Sequence, residues 1–178
     1  MRGADKLLQP VGGRPLLRVA AERALAAAWP VCVTLPPGSA ARRRTLDGLP
    51  VCVLEVADAR TGMAASFRAL ATVARGPLLV VLADMPEIEA DDLAALIAAH
   101  RAAPDRVIRA TDADGREGQP VLFPARLVPA MAGLAGDTGA RAILAGEPMV
   151  RVPLPGHRAT TDLDTPEDWA AWRARTGL

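Results

Sequence analysis

A chain of 178 residues with 51% hydrophobic content is long enough for one domain with a substantial core, and its composition excludes disorder. Its 21 basic and 20 acidic residues nearly cancel, which argues against a basic face for nucleic acid and against a polybasic membrane-surface segment. Tyrosine is absent and phenylalanine occurs twice, so the stacking platforms of single-strand binders are missing too. No apolar run approaches a membrane span and no secretory leader is seen, so the expected setting is the cytoplasm and the expected partner a small molecule.

In chain order, residues 15–28 carry Leu16, Leu17, Ala20, Ala24 and Ala27 at helical spacing behind a first-turn proline, which predicts a helix ending before Trp29-Pro30. Residues 30–37 and 50–56 are short β-branched runs bounded by proline and glycine, each with a Val-Cys-Val centre. They predict two strands, with Cys32 and Cys52 as core thiols rather than a disulfide or metal ligands. A short helix is expected between them. Residues 61–76 predict a helix with Met63, Phe67 and Leu70 on one face.

The most apolar stretch, PLLVVLADMP at 77–86, is too short before its aspartate for a core helix and suits a central parallel strand buried on both faces. A helix with an acidic first turn follows. RVIRAT (106–111) and QPVLFP (119–124) flank an Asp-Gly turn and predict a hairpin. Two short helices, a strand at MVRVPLP and a C-terminal helix headed by Thr165-Pro166-Glu167-Asp168 complete the pattern. Alternating strands and helices without an internal linker predict one α/β domain, with a largely parallel sheet and one inserted hairpin.

Lys6 is the only lysine; the other basic residues are all arginine. An ammonium is a compact charge on a flexible stem, whereas arginine presents a rigid fork, so the exception fits a phosphate contact, although an exposed terminal lysine needs no function. Asp84 is expected at the carboxyl end of a central strand, where open α/β sheets bind their ligands, as a hard-oxygen ligand for Mg2+. The alternative is an aspartate that holds the next turn. Asp162 and Asp164, two residues apart, share one side of an extended segment, and either would supply a second acidic ligand. Gly62 at a helix start, with Ser66 nearby, offers amides to an anion or base edge. Neither His100 nor His157 accompanies a nucleophile turn, so a hydrolytic triad is not expected and transfer chemistry governed by position and charge fits better.

Taken in order, GADKLLQPVGGRPLL, GMAASFRAL, VVLADMP, GQPVLFP, GDTGARAIL and TDLDTPED resemble the successive motifs of the MobA-like nucleotidyltransferases, and among these the molybdenum cofactor cytidylyltransferases. The resemblance implies a three-layer Rossmann-like (GT-A-like) nucleotidyltransferase fold and transfer of CMP from CTP to the phosphate of molybdopterin. GMP transfer from GTP is the nearest enzymatic alternative. The resemblance implies that Lys6 neutralises nucleotide phosphates, that Asp84 is the magnesium aspartate, and that Asp162 or Asp164 completes the acidic motif. Gly62, Met63 and Ser66, together with Gly118, Gln119, Pro120 and Asp137, match segments lining the nucleotide and pterin sides of the cleft. A molybdoenzyme or its maturation chaperone would be the further partner.

One departure stands out. The family opens with the pattern Leu-Ala-Ala-Gly-x-Ser-x-Arg-Met-Gly-x-x-Lys, and Met1-Arg2-Gly3-Ala4-Asp5-Lys6 matches only its end. A first strand and glycine-rich triphosphate loop are therefore expected to be lacking, through a start site upstream or a truncation, with Arg2 and Gly3 retained from the loop. The expected consequence is an uncovered apolar edge. A non-catalytic cofactor carrier or maturation protein is the alternative from another class.

Overall fold

The computed structural model describes residues 5–136 and 140–178. Two short strands, β1 (Pro10–Val11) and β2 (Arg14–Pro15), form a tight antiparallel hairpin. Its two central residues are Gly12 and Gly13, at φ 55° and 77°, the doubly left-handed turn that matches strand twist and that glycine adopts without strain. Helix α1 (Leu16–Ala27) follows and buries Leu16, Leu17, Val19 and Ala21. Strands β3 (Cys32–Leu35) and β4 (Cys52–Glu55), joined through α2 (Ala40–Thr45), pair in parallel.

After α3 (Met63–Val73) comes the four-stranded sheet, formed by β5 (Leu78–Val80), β6 (Val107–Thr111), β7 (Glu117–Phe123) and β8 (Met149–Pro153) in the order β5-β7-β6-β8. Helix α4 (Ala90–Ala102) lies between β5 and β6 in sequence, and α5 (Arg141–Leu144) and α6 (Pro166–Thr176) close the chain. Alternate residues of β6 and β7 serve opposite faces. Ile108 and Leu122 pack against Leu93 and Leu96 of α4, while Val107, Val121 and Phe123 pack against Phe67 of α3 and Met131. The Phe67 and Phe123 rings meet edge to face with centroids 6.0 Å apart. Helices on both sides of the sheet make the three-layer α/β arrangement expected.

Two expectations change. The sheet itself is as expected, with β5, β6 and β8 in one direction and β7, the returning arm of the hairpin, inserted antiparallel between β5 and β6, but the strand expected at its centre is not there. Among the described residues β5 has a strand partner on one side only, and none of residues 78–83 is fully buried, whereas Val107, Ile108, Val121 and Phe123 are at most 1% exposed. The cysteines are not core thiols. Cys32 and Cys52 sit opposite each other in register, with Cys32 half-buried and Cys52 exposed, and among the described residues β4 pairs with β3 alone.

Candidate active site

The register Val80↔Val121 sets the start of β7 beside the carboxyl end of β5, where the chain continues to Asp84. The segment before α6 crosses the same end. The Gln119 amide donates to the Ala159 carbonyl at 2.8 Å, and the Leu163 amide donates to the Asp84 carbonyl at 3.2 Å. Here Gly118 is required by close approach, since a Cβ would lie 1.9 Å from the Ala159 oxygen. Backbone hydrogen bonds thus gather the 84, 118–119 and 159–164 segments at one edge.

Lys6 reaches this edge from the chain's other end. Asp5 caps a short 3₁₀ turn, accepting from the Leu7 amide at 3.1 Å, and its carboxylate accepts from Nε and Nη2 of Arg42 on α2, at 2.7 and 3.0 Å. With its turn so fastened, Lys6 donates through Nζ to Asp84 Oδ2 at 2.6 Å and also to Asp164 Oδ1. Partial burial pulls the Lys6 pKa down, but its hydrogen bonds to Asp164 and Asp84 outweigh that and raise it above the ordinary lysine value. Asp84 Oδ1 is buried and has no hydrogen-bond partner among the described residues. Such an atom costs stability when left unpaired, and two carboxylates converging on one cation are a donor set suited to a divalent ion.

Sequence spacing makes Asp162 and Asp164 equivalent. The structure separates them: both are exposed and Leu163 between them is buried, but Asp164 pairs with Lys6 beside Asp84, whereas Asp162 has no ion-pair partner among the described residues. Gly62 stands before α3 at φ 117°, with no side chain capping the helix; Met63 is exposed and Ser66 half-buried. Gln119 Oε1 is a second buried oxygen without a partner among the described residues. Pro120, assigned to the cleft, is instead fully buried, because the antiparallel pairing of β7 carries it into the core. Arg2, Gly3 and Asp137 lie outside the described residues.

Sequence reasoning missed Asp112. It is 0% exposed at the β6–β7 turn, where Oδ1 accepts from the Asp114 and Arg116 amides and Oδ2 from the Thr160 hydroxyl, with His157 Nδ1 at 3.5 Å. Burial alone would raise its pKa, but these hydrogen bonds hold the carboxyl below the ordinary aspartate value. Asp112, Asp114 and His157 are close enough to hold a metal ion, yet the Asp112 oxygens already serve the turn. The Asp-Ala-Asp-Gly spelling of the turn was the available signal.

Among the described residues, no helix is long and apolar enough to cross a membrane. No curated protein matches the chain. Similar folds occur in several solved structures. Rv0371c from Mycobacterium tuberculosis H37Rv, solved with manganese, is 26% identical with a TM-score of 0.74, over 93% of this chain and 89% of that one. The 2-C-methyl-D-erythritol 4-phosphate cytidylyltransferase of Thermus thermophilus is 24% identical with a TM-score of 0.67, over 97% and 94%. The molybdopterin-guanine dinucleotide biosynthesis protein A of Archaeoglobus fulgidus is 16% identical with a TM-score of 0.66, over 99% and 93%. The family profile of the MobA-like NTP transferase domain matches residues 1–152, and the chain belongs to that family.

Proposed function

We propose that this protein is a nucleotidyltransferase that moves CMP from CTP to the phosphate of molybdopterin and releases pyrophosphate. The observation that carries this reading is the convergence of one ammonium and two carboxylates, Lys6, Asp84 and Asp164, at the carboxyl end of β5. In the reaction, an oxygen of the acceptor phosphate forms a bond to the α-phosphorus. The bond from that phosphorus to the β-phosphate oxygen breaks, and its electron pair leaves with pyrophosphate. Such chemistry depends on alignment and on neutralising crowded negative charge.

In this reading Lys6 supplies mobile positive charge to the triphosphate, since its ammonium is not locked in a planar fork. Asp84 and Asp164 hold the divalent cation, Mg2+ in this proposal, which screens the phosphates when bound. The orphaned Asp84 Oδ1 fits that role, and manganese in the Rv0371c structure agrees with it. The uncapped amides at the start of α3, beside Gly62, and the buried Gln119 oxygen offer further polar contacts to nucleotide and acceptor.

The test is pyrophosphate release from CTP, GTP and ATP with Mg2+, in the presence and absence of molybdopterin. The expected result is release with CTP that depends on molybdopterin, and Asp84→Asn should lower kcat by ~100-fold or more if the cation supplies several kcal/mol to the transition state. GTP-dependent release would move the reading to guanylyl transfer. Molybdopterin binding without turnover would make the chain a carrier instead.

A further inference from the structure

We propose that Lys6 is the resident counter-ion of the Asp84–Asp164 pair, seated where a divalent cation binds, so that cation entry expels the ammonium and delivers it to a phosphate. The inference rests on the cation-site reading above and adds the order of events at that site.

Three observations carry it. A single Nζ links carboxylates from two distant parts of the chain, Asp84 after β5 and Asp164 before α6. Asp84 is partly buried and Asp164 more exposed, and a cation between two converging negative groups relieves their repulsion. The ammonium does this incompletely, because Asp84 Oδ1 stays buried and unpaired among the described residues. A divalent ion takes six or more oxygen ligands, and it would use an atom that the lysine leaves idle. Finally, the Lys6 backbone is fastened independently of its ammonium through Asp5 and Arg42, so the side chain can leave without dismantling its turn.

An ion that displaces Lys6 leaves a free positive charge beside the cleft, and a triphosphate that attracts Lys6 vacates the carboxylates. Each ligand therefore favours the other, by reciprocal linkage. The cation affinity of the nucleotide-free protein is then lowered by Lys6, in addition to any contact it makes with phosphate.

The experiment is a titration of nucleotide-free protein with Mn2+, read by calorimetry and by the electron paramagnetic resonance signal of the free ion. It compares the wild type with Lys6→Met, Lys6→Gln, Lys6→Arg and Asp84→Asn. Both neutral variants should bind Mn2+ about 10-fold or more tightly than the wild type, since a competing charge has been removed. Lys6→Arg should stay within about threefold of the wild type. Asp84→Asn should weaken binding. Neutral variants that bind no more tightly than the wild type would overturn the counter-ion proposal while leaving Asp84 as a cation ligand. Unchanged binding in Asp84→Asn would overturn the cation-site reading, and the proposal with it.

Discussion

Single residues divide here into those that hold the fold at one point and those that leave charge exposed to a ligand. Asp112 is of the first kind. All its partners are donors within its own turn or the neighbouring 157–160 segment, and they keep its folded-state pKa below the unfolded value of about 3.9. A depressed carboxyl pKa contributes stability that is present above the unfolded pKa and disappears as pH falls through the folded one. Urea midpoints measured from about pH 6 down to pH 3 should therefore fall in the wild type below about pH 4, and Asp112→Asn should start lower and show a flatter acid limb. Equal acid limbs would show that the carboxylate makes no charge-dependent contribution. Asp84 differs, since half its carboxylate is buried without a donor among the described residues. From sequence, Asp84 was legible by its place after an apolar strand. The choice of Asp164 over Asp162 was not, because it depends on where a lysine 158 positions away comes to rest.

At the scale of elements, local chemistry and burial part company. Helix α6 is fully legible: Thr165 accepts from the Asp168 amide at 3.1 Å, Asp168 accepts in return from the Thr165 amide at 2.8 Å, Pro166 opens the first turn, and Gly177 ends the helix at φ 75°. Thr165→Ala should cost about 1 kcal/mol, a value typical of a lost cap, measured as the shift in urea-unfolding free energy; no change would mean that tertiary packing alone fixes the start of α6. The adjoining Asp164 makes this cap relevant to the site, since the residue before the cap is the one that meets Lys6. The apolar run at 77–83, of which β5 takes Leu78–Val80, shows the opposite case. Its composition announces a strand, but burial depends on having neighbours on both edges, and a run of six apolar residues carries no information about which strands will flank it. The hairpin at 106–124 was legible from its turn, whereas the insertion of β7 between β5 and β6 came from long-range pairing.

For the whole molecule, the decisive fact is that the candidate site is built from both halves of the chain, with Lys6 near one end, Asp84 in the middle and Asp164 ahead of the last helix. What brings the ends together is an apolar cluster behind the site. Trp169 and Trp172 of α6, ring centroids 5.8 Å apart, pack with Val11 of the first hairpin, Leu16 and Val19 of α1, and Leu163, while Leu7 lies partly buried against them. Leu7 and Leu163 are the immediate chain neighbours of Lys6 and Asp164, so packing energy in this cluster is converted into the geometry of the triad. Trp172→Ala should cost about 3–5 kcal/mol, the range for removing a large buried aromatic side chain, and should also weaken Mn2+ and CTP binding although it removes no ligand atom. Lys6→Met should separate the two properties, changing ligand binding while moving unfolding free energy by about 1 kcal/mol or less, because a part-exposed ion pair contributes little to stability. Urea unfolding and calorimetry on the same two variants test the idea together. A Trp172→Ala protein that lost stability yet bound both ligands normally would mean that the triad is held by its own ion pairs and by the Asp5–Arg42 clamp, and not by the cluster that joins the ends of the chain.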